Sequence, residues 1–219
     1  MNWMGKPVAT TTEKTGTKSK DGKQRRGSPR ADNRRKQLLE AAADLFSVKG
    51  YAGTSIRDIA DVVGMLPGSM YYHFRSKEDL LLAVHGEGVR LIMDAVNQAL
   101  EQAPNDPWAR LEAASCAHLK GLLTGGKFTM VVTPEFSRSI EKPLRSHLIE
   151  ERDRYERIFR DLIEALPLPE GISRSYLRLS LLGSLNWVVN WYRPDGDDPE
   201  TIASRMLDLL KRPLETPRD

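Results

Sequence analysis

The sequence predicts an all-α protein, and three observations support this. Apolar residues recur at helical spacing from Arg34 onwards. Helix caps and stops separate these segments, among them Gly50, Gly64 and the Asp-Pro pairs that begin at Asp106 and Asp198. No segment shows the sustained apolar–polar alternation that is typical of strands, and no solenoid-type repeat occurs. We therefore expect helices packed on helices.

Residues 1–29 are expected to form a disordered basic arm. They are rich in Thr, Lys, Gly and Ser and almost lack large apolar groups, so they cannot offset the entropy of ordering. Up to Lys36 the chain carries eleven lysines and arginines against three acidic residues, while its total net charge is +3. A basic arm on a mildly acidic body suits a polyanionic partner. A solvated tail explains the same charges, so both interpretations stay open.

Two helices are predicted in the segment that follows the arm. The first begins near Arg34 and stops at Gly50. The second is short, with Thr54 as its N-cap and Gly64 at its end. Its inward face consists of Ile56, Ile59, Ala60 and Val63.

A third short helix is expected from Pro67 to Phe74, followed by a long fourth helix. Ser76 and Asp79 form a capping-box arrangement that opens the fourth helix, which reaches roughly Leu100. Further helices are predicted over residues 107–123, 128–140, 144–165 and 173–192, and a last one begins at Pro199.

The composition argues against several classes of protein. The longest uncharged apolar stretch, Leu179 to Tyr192, is interrupted by polar residues and is shorter than the roughly 20 residues of a membrane span. The N-terminus lacks the apolar core of a signal peptide, which predicts a cytoplasmic protein. A lone cysteine, Cys116, excludes an intrachain disulfide, and the four histidines lack metal-ligand spacing. We expect no membrane partner, no metal and no cofactor.

The first four helices contain a helix-turn-helix, with two short helices joined at Gly64. Many small bundles share that geometry, but the residue chemistry of Pro67–Phe74 favours DNA. The segment has no acidic residue, and the small groups at its start allow a close approach to base edges. Its tyrosine hydroxyls, its histidine ring and the nearby Lys77 can contact phosphates.

These residues resemble the tetracycline-repressor (TetR) family of bacterial regulators. The shared motifs are Thr54–Ala60, Gly64, Tyr71–Phe74, Ser76–Glu78 and Leu80, within a resemblance that spans about residues 34–82. The resemblance implies a homodimeric regulator, most often a repressor, that works in the bacterial cytoplasm at the nucleoid. It also implies that the regulator is released from palindromic operator DNA by a small-molecule effector bound to its C-terminal helices.

The same resemblance implies a set of DNA contacts. Thr54 and Arg57 would touch backbone or bases, while Tyr72, His73 and Lys77 would clamp phosphates. The segment from Pro67 to Met70 would face the major groove, and Phe74 would belong to the core. The complete set is Arg34, Thr54, Arg57, Leu66, Pro67, Gly68, Ser69, Met70, Tyr71, Tyr72, His73 and Lys77.

The chain departs from the family at Leu66, where many members have the Ser or Thr that caps the third helix. An N-cap hydrogen bond worth ~1 kcal/mol is therefore missing, and Pro67 compensates by fixing φ at the first helical position. The runs Gly64–Tyr71 and Asn186–Gly196 resemble members that respond to acyl-CoA thioesters in lipid, steroid or aromatic-acid catabolism. A multidrug-type sensor is the alternative on the same fold.

The C-terminal helices hold the expected effector and dimer sites. Helix 173–192 is apolar on almost all sides, so we expect it to be wedged between its own core and a partner subunit. Aromatic residues can line a cavity, but at helical spacing they can equally be core, and each Asn can be a satisfied interhelical contact. The candidate effector residues are Phe128, Phe136, Phe159, Asn186, Trp187, Asn190, Trp191 and Arg193, with Arg138, Arg145 and Arg152 as further cations.

A phosphate-binding enzyme is the rival class. Gly121–Lys127 fits the first part of a Walker A loop, but Phe128 stands where Ser or Thr must bind Mg²⁺, and no strand precedes it. Cys116 and His118 do not face each other on a helix, which argues against a nucleophile–base pair. We therefore predict a non-enzymatic regulator with an arm (1–29), a DNA-binding domain (30–77), an effector and dimerisation domain (78–212) and a flexible tail (213–219).

Overall fold

A computed structural model describes residues 29–215, so the predicted arm (1–29), apart from its last residue, and residues 216–219 of the predicted tail lie outside the described residues. Residues 213–215 of that tail belong to the last helix instead. The described part is all helical, as predicted, and contains no strand. The α-helices are α1 (Pro29–Lys49), α2 (Ile56–Val62), α3 (Pro67–Met70), α4 (Lys77–Gln102), α5 (Pro107–Thr124), α6 (Lys127–Met130), α7 (Pro134–Arg138), α8 (Leu144–Glu164), α9 (Arg174–Trp187) and α10 (Pro199–Glu215), and a 3-10 turn (Val188–Asn190) follows α9. No helix of this part is long and apolar enough to cross a membrane.

Helices α1 to α3 and the first half of α4 form an N-terminal bundle around Phe46, Ile59, Met70 and Phe74, all of them buried. Gly50 and Gly64 end α1 and α2 at φ values of 72° and 64°, where a side chain would be strained. Helix α3 is shorter than the predicted 67–74 segment. It ends at Met70, and a turn held by hydrogen bonds from the His73 and Phe74 amides to the Met70 carbonyl follows.

Helix α4 is shared between two hydrophobic cores. Its first half contributes Leu80, Leu81 and Val84 to the N-terminal bundle. Its second half contributes Val89, Ile92 and Val96 to a larger C-terminal core built with α5, α8, α9 and α10. Ser76 caps α4 and accepts a hydrogen bond from the Asp79 amide at 3.1 Å, which confirms the predicted helix start. One continuous helix therefore joins the two parts of the molecule.

The predicted helix 128–140 is wrong, because the chain forms two short helices there. Proline has no amide proton and its ring clashes with the preceding turn, so Pro134 cannot continue α6. It begins α7 instead, with Thr133 as the N-cap.

The predicted helix 173–192 also ends early, at Trp187, where the chain tightens into the 3-10 turn. The Asp106 and Asp198 caps are confirmed by hydrogen bonds from the amides three residues later.

Candidate DNA-binding face and effector cavity

The exposed residues of the helix-turn-helix lie on and around α3. Tyr72 is 91% exposed and Leu66 77% exposed, with Gly68 and Tyr71 also exposed and Pro67, Ser69 and His73 half-buried. As predicted, the Leu66 side chain makes no N-cap hydrogen bond, and Pro67 is the first residue of the helix. The segment from Leu66 to Phe74 carries no acidic side chain. It can therefore approach a polyanion closely.

Three predicted DNA contacts have structural roles instead. Met70 is fully buried in the N-terminal core, so it cannot face the major groove. Thr54 is buried, and its hydroxyl donates to the Leu45 and Gly50 carbonyls at 3.2 and 2.9 Å. Ser55, not Thr54, caps α2, and it forms a reciprocal capping box with Asp58. Both threonine and serine are good caps, so spacing alone did not identify the right one.

Lys77 is the third. Its Nζ donates to the Tyr51 and Thr54 carbonyls at 2.9 and 2.8 Å and lies 4.1 Å from the centre of the Tyr51 ring. The ammonium thus ties the loop before α2 to the start of α4. Two of the three ammonium protons are donated to these carbonyls, so Lys77 has a structural role here and its phosphate contact stays a prediction.

The remaining cations are better placed to meet DNA. Arg57 on α2 is exposed, and Arg34 is exposed while donating to Gln37 and, at 3.5 Å, to the Val63 carbonyl. Arg75, which the sequence interpretation missed, is also exposed directly after the α3 turn. Its position between Phe74 and Ser76 was the available signal, since an arginine beside a core anchor must point outward.

A small enclosed cavity of about 30 Å³ lies between α4, α5, α8 and α9. This is room for about one or two water molecules. Its walls are mostly apolar, with a polar edge on α8 and single polar groups from α5 and α9. The lining residues are Val89, Ile92, His118, Leu122, Val132, Arg152, Tyr155, Glu156, Leu182 and Asn186.

The polar edge of the cavity is an ion-pair network centred on Glu156. Arg152 lies 3.2 Å from the Glu156 carboxylate, and Arg178 of α9 pairs with the other oxygen of the same group. The Arg152 Nε is buried without a well-aligned hydrogen bond, so its ion pair with Glu156 is electrostatic more than directional. The Arg152 guanidinium also donates to Asp153 at 3.2 Å, so two acidic neighbours on α8 hold it at the cavity edge.

Most of the predicted effector residues lie elsewhere. Asn186 does line the cavity, and Phe159 stands behind its wall, in contact with the His118 and Tyr155 rings. Phe128 and Phe136 pack on the N-terminal core, and α6, which carries Phe128, lies against α1 and α4. The residues Trp187, Asn190, Trp191 and Arg193 are exposed at the far end of α9.

The sequence interpretation missed His118 and Tyr155 as cavity residues, and it named Arg152 only as a possible cation. A period of three to four on α8, shared by Arg152, Tyr155 and Glu156, was the signal for a common face. Nothing in the sequence indicates that α5, which carries His118, packs next to this face of α8.

Helix α8 also contacts α4 directly. The buried His85 of α4 lies 2.7 Å from the Glu151 carboxylate, measured from its Nδ1. Glu151 adjoins Arg152, which lines the cavity. Two consecutive residues of α8 therefore face the cavity and the helix that carries the DNA-binding bundle.

The Walker-like segment forms the end of α5 and a turn at Gly126, whose φ is 72°, as predicted from the absent strand. Lys127 forms an ion pair with Asp44 of α1. Cys116 lies beside Ser204 and the Glu200 carbonyl of α10, on the other side of α5 from the cavity residue His118.

Comparison with known proteins identifies the family. The model of the bacterial regulatory proteins of the tetR family matches residues 38–84, and the model of the tetracyclin repressor-like C-terminal domain matches residues 104–214. The chain belongs to the TetR family. It is therefore a DNA-binding, ligand-responsive transcription regulator. The helix-turn-helix and the chemistry of α3 predicted the DNA binding, and the family resemblance implied the response to a ligand.

Individual TetR relatives cover most of the chain. The HTH-type transcriptional repressor KstR2 of Rhodococcus jostii is 29% identical over 195 residues, which cover 85% of this chain and 93% of the relative. The crystal structure of PfmR from Thermus thermophilus matches with a TM-score of 0.66 and 31% identity, over 82% of this chain and 99% of that one. AibR, solved in complex with isovaleryl coenzyme A and operator DNA, matches with a TM-score of 0.70 and 26% identity, over 80% of this chain and 97% of that one.

Proposed function

We propose that this TetR protein is a homodimeric repressor that leaves its operator when an acyl-CoA thioester enters the cavity between α4, α5, α8 and α9. One observation carries the proposal: α4 belongs to the DNA-binding core at one end and lines the cavity at the other. Residues 30–77 would contact DNA, while residues 78–212 would bind the effector and dimerise. The protein would act by binding alone, without catalysing a reaction.

The DNA contacts divide by role. Leu66, Pro67, Gly68, Ser69 and Tyr71 would face the major groove and determine sequence preference. Arg34, Arg57, Arg75, Tyr72 and His73 would contact phosphates. Phosphate contacts position a protein on the duplex without selecting its sequence, so the two groups have separable effects.

A test compares Tyr72→Phe with Ser69→Ala. Removing the Tyr72 hydroxyl should weaken binding to the protein's own upstream DNA and to random DNA by a similar factor, about fivefold. Ser69→Ala should change the preferred sequence instead. Anisotropy with labelled duplexes measures both. A Tyr72→Phe variant with altered preference and full affinity would reverse the assigned roles.

The homodimer would form through α9 and α10. One face of α9 carries apolar or small side chains at intervals of three and four residues, and these side chains are exposed. These residues are Tyr176, Leu179, Ser180, Gly183, Ser184, Trp187 and, beyond the helix, Trp191. On α10, Leu209 is 75% exposed. A two-fold pair would place the α3 helices about 34–36 Å apart, to match a near-palindromic operator.

The small size of the cavity suggests how an effector would release the protein from its operator. A space of about 30 Å³ cannot hold an acyl chain, so a ligand must separate the helices that surround it. Movement of α8 would reach α4 through the Glu151–His85 hydrogen bond and change the spacing of the two α3 helices. A ligand that binds ~100-fold tighter to that altered form opposes DNA binding by ~2.7 kcal/mol.

The effector class rests on AibR, whose structure holds isovaleryl coenzyme A, and on the resemblance of the runs Gly64–Tyr71 and Asn186–Gly196 to acyl-CoA-responsive members. The experiment titrates isovaleryl-CoA, longer acyl-CoA thioesters and free CoA into a complex with labelled upstream DNA. We expect one or more thioesters to lower the anisotropy and quench tryptophan fluorescence, while free CoA does neither. If no thioester releases DNA and a cationic or neutral drug does, a multidrug-type sensor replaces this proposal.

A further inference from the structure

His118 is the most deeply buried titratable group of the cavity, at 4% exposure. Its Nδ1 lies 2.7 Å from the Tyr155 hydroxyl, and the two rings stack with centres 5.7 Å apart. Phe159 packs edge-on against the same imidazole. These aromatic contacts hold the ring in one orientation within the cavity wall, with Nδ1 directed at Tyr155 and Nε2 on the other side of the ring.

That nitrogen has no hydrogen bond within the described residues. Nε2 is buried without a hydrogen-bond partner in good geometry, and the nearby Asn186 side chain acts on the ring only by raising its pKa against the larger effect of burial. A buried polar group left unpaired costs about 1–3 kcal/mol. It is therefore expected to have a partner when the site is occupied.

The hydrogen bond with Tyr155 favours the His118 tautomer that carries its proton on Nε2. Its hydrogen-bond partner is Nδ1, and burial raises the pKa of the phenol well above its ordinary value, so the hydroxyl keeps its proton. Donating that proton to Nδ1 satisfies both groups and leaves the imidazole proton on Nε2. Burial also lowers the pKa of His118 to about 4, so the ring is neutral at physiological pH. The cavity thus presents one uncharged N–H donor.

The surroundings of the donor restrict what it can bind. Apolar groups of Val89, Leu122 and Leu182 surround it, which favours an apolar ligand. The charges at the cavity edge are already paired, because Glu156 binds both Arg152 and Arg178, so a charged ligand group would have to break an existing ion pair. A neutral acceptor with an apolar substituent fits both conditions.

We propose that the Nε2–H of His118 donates a hydrogen bond to a carbonyl oxygen of the effector, and that His118 thereby distinguishes acyl compounds from ligands of the same shape without a carbonyl. The inference deepens the proposed function and rests on the same cavity. A thioester and a ketone offer the same carbonyl chemistry, so the experiment includes both.

The first experiment observes the ring directly. Long-range ¹⁵N–¹H correlation NMR of the full chain should show His118 in the neutral form protonated at Nε2, with His118→Gln used for assignment. Methyl isobutyl ketone should shift the Nε2–H proton, and isohexane, which has the apolar group but no carbonyl, should not. A ring protonated at Nδ1, or equal responses to both compounds, would overturn the proposal.

The second experiment measures selectivity. Isovaleryl-CoA is compared by calorimetry with the thioether analogue in which a CH₂ replaces its carbonyl. Wild type should prefer the thioester by about tenfold, the effect of one hydrogen bond to a donor that is otherwise unpaired.

Two variants are matched to this comparison, both in a Tyr155→Phe background so that no phenol hydroxyl is left without a partner. His118→Gln places an amide N–H near the former Nε2 and should retain part of the preference. His118→Leu has a similar volume and no donor, and it should bind the two compounds equally. Circular dichroism checks that both variants are folded.

The outcomes separate this inference from the proposed function. If isovaleryl-CoA and the thioether release DNA equally well from wild type, acyl-CoA regulation stands and the role of His118 fails. If His118→Leu keeps the tenfold preference, the role of His118 also fails. If no CoA compound binds, the effector class fails, and the response of Nε2–H to the ketone still decides whether His118 binds carbonyl groups.

Discussion

At the scale of single residues, hydrogen-bond partners decide what a side chain is free to do. Lys77 and Arg57 are both cations of the helix-turn-helix, and the family resemblance implied DNA contacts for both. The Lys77 ammonium is engaged by two backbone carbonyls, at 2.9 and 2.8 Å. Arg57 is exposed. We therefore expect Lys77 to support the fold and Arg57 to bind DNA.

Lys77→Met and Arg57→Met test this division. Lys77→Met should lower the free energy of unfolding by about 1–2 kcal/mol, because two carbonyls are deprived of a charged donor. It should leave the salt dependence of DNA binding unchanged. Arg57→Met should do the reverse, reducing the slope of log affinity against log salt by about 0.9 for each phosphate that the protein no longer neutralises. A flatter slope for Lys77→Met would restore its predicted phosphate contact.

The His118 imidazole should make stability depend on pH. Its pKa is lowered from 6.5 to about 4, so the unfolded chain binds the proton more readily than the folded chain. The stability this provides is present above pH 6.5 and is lost as the pH falls towards 4, with a total of about 3 kcal/mol.

The measurement is urea unfolding of wild type and His118→Gln between these two pH values. The difference in unfolding free energy between them should shrink by about 3 kcal/mol as the pH is lowered. His147→Gln, at an exposed position, is the control and should follow wild type throughout. A constant difference for His118→Gln would mean that the ring is not held neutral.

At the scale of elements, α4 joins the N-terminal bundle to the core that surrounds the cavity, and we propose that it connects DNA binding with effector binding. Close packing fixes its position at Gly88, where an added Cβ would lie 2.4 Å from the Phe128 carbonyl oxygen and 2.6 Å from a Val132 methyl. Helix α6, which carries Phe128, is in turn tied to α1 by the Lys127–Asp44 ion pair. A helix held this closely transmits a displacement instead of absorbing it.

Gly88→Ala should therefore destabilise the protein and weaken operator binding. The overlap requires α4 and α6 to separate, at a cost of about 1–3 kcal/mol. Gly86→Ala is the matched control in the same helix, since its Cβ would lie 3.4 Å from the flexible Glu151 carboxylate. It should be neutral or stabilising by up to ~1 kcal/mol. Thermal unfolding and anisotropy measure both effects, and equal behaviour of the two variants would refute the role of close packing.

At the scale of the whole molecule, the apolar face of α9 is the main surface that a single chain leaves uncovered among the described residues. Helix α9 buries Leu177, Leu181 and Leu185 against its own core. Its opposite face exposes Tyr176, at 74%, and Trp187, at 57%. A monomer would present this patch to water, which is the physical argument for a second copy.

Leu179→Glu should break the proposed dimer. A carboxylate at the centre of a two-fold interface meets its own copy and is stripped of hydration. We expect a monomer mass by light scattering at micromolar concentration, native helicity, and loss of operator binding. Val48→Glu, which changes another exposed apolar residue on α1, should stay dimeric. A wild-type chain that is itself monomeric would remove this interface from the proposal.

The sequence by itself determined the helical class, the caps at Ser76, Asp106 and Asp198, and the helix-turn-helix, because these depend on residues close in the chain. Only the tertiary structure decided where Thr54, Lys77 and Met70 lie and which residues line the proposed effector cavity. His118, Arg152 and Asn186 lie on three different helices. Local periodicity shows which face of a helix is apolar but not which other helix meets it. That choice depends on packing between distant segments, which places Phe128 and Phe136 on the N-terminal core instead of at the predicted site.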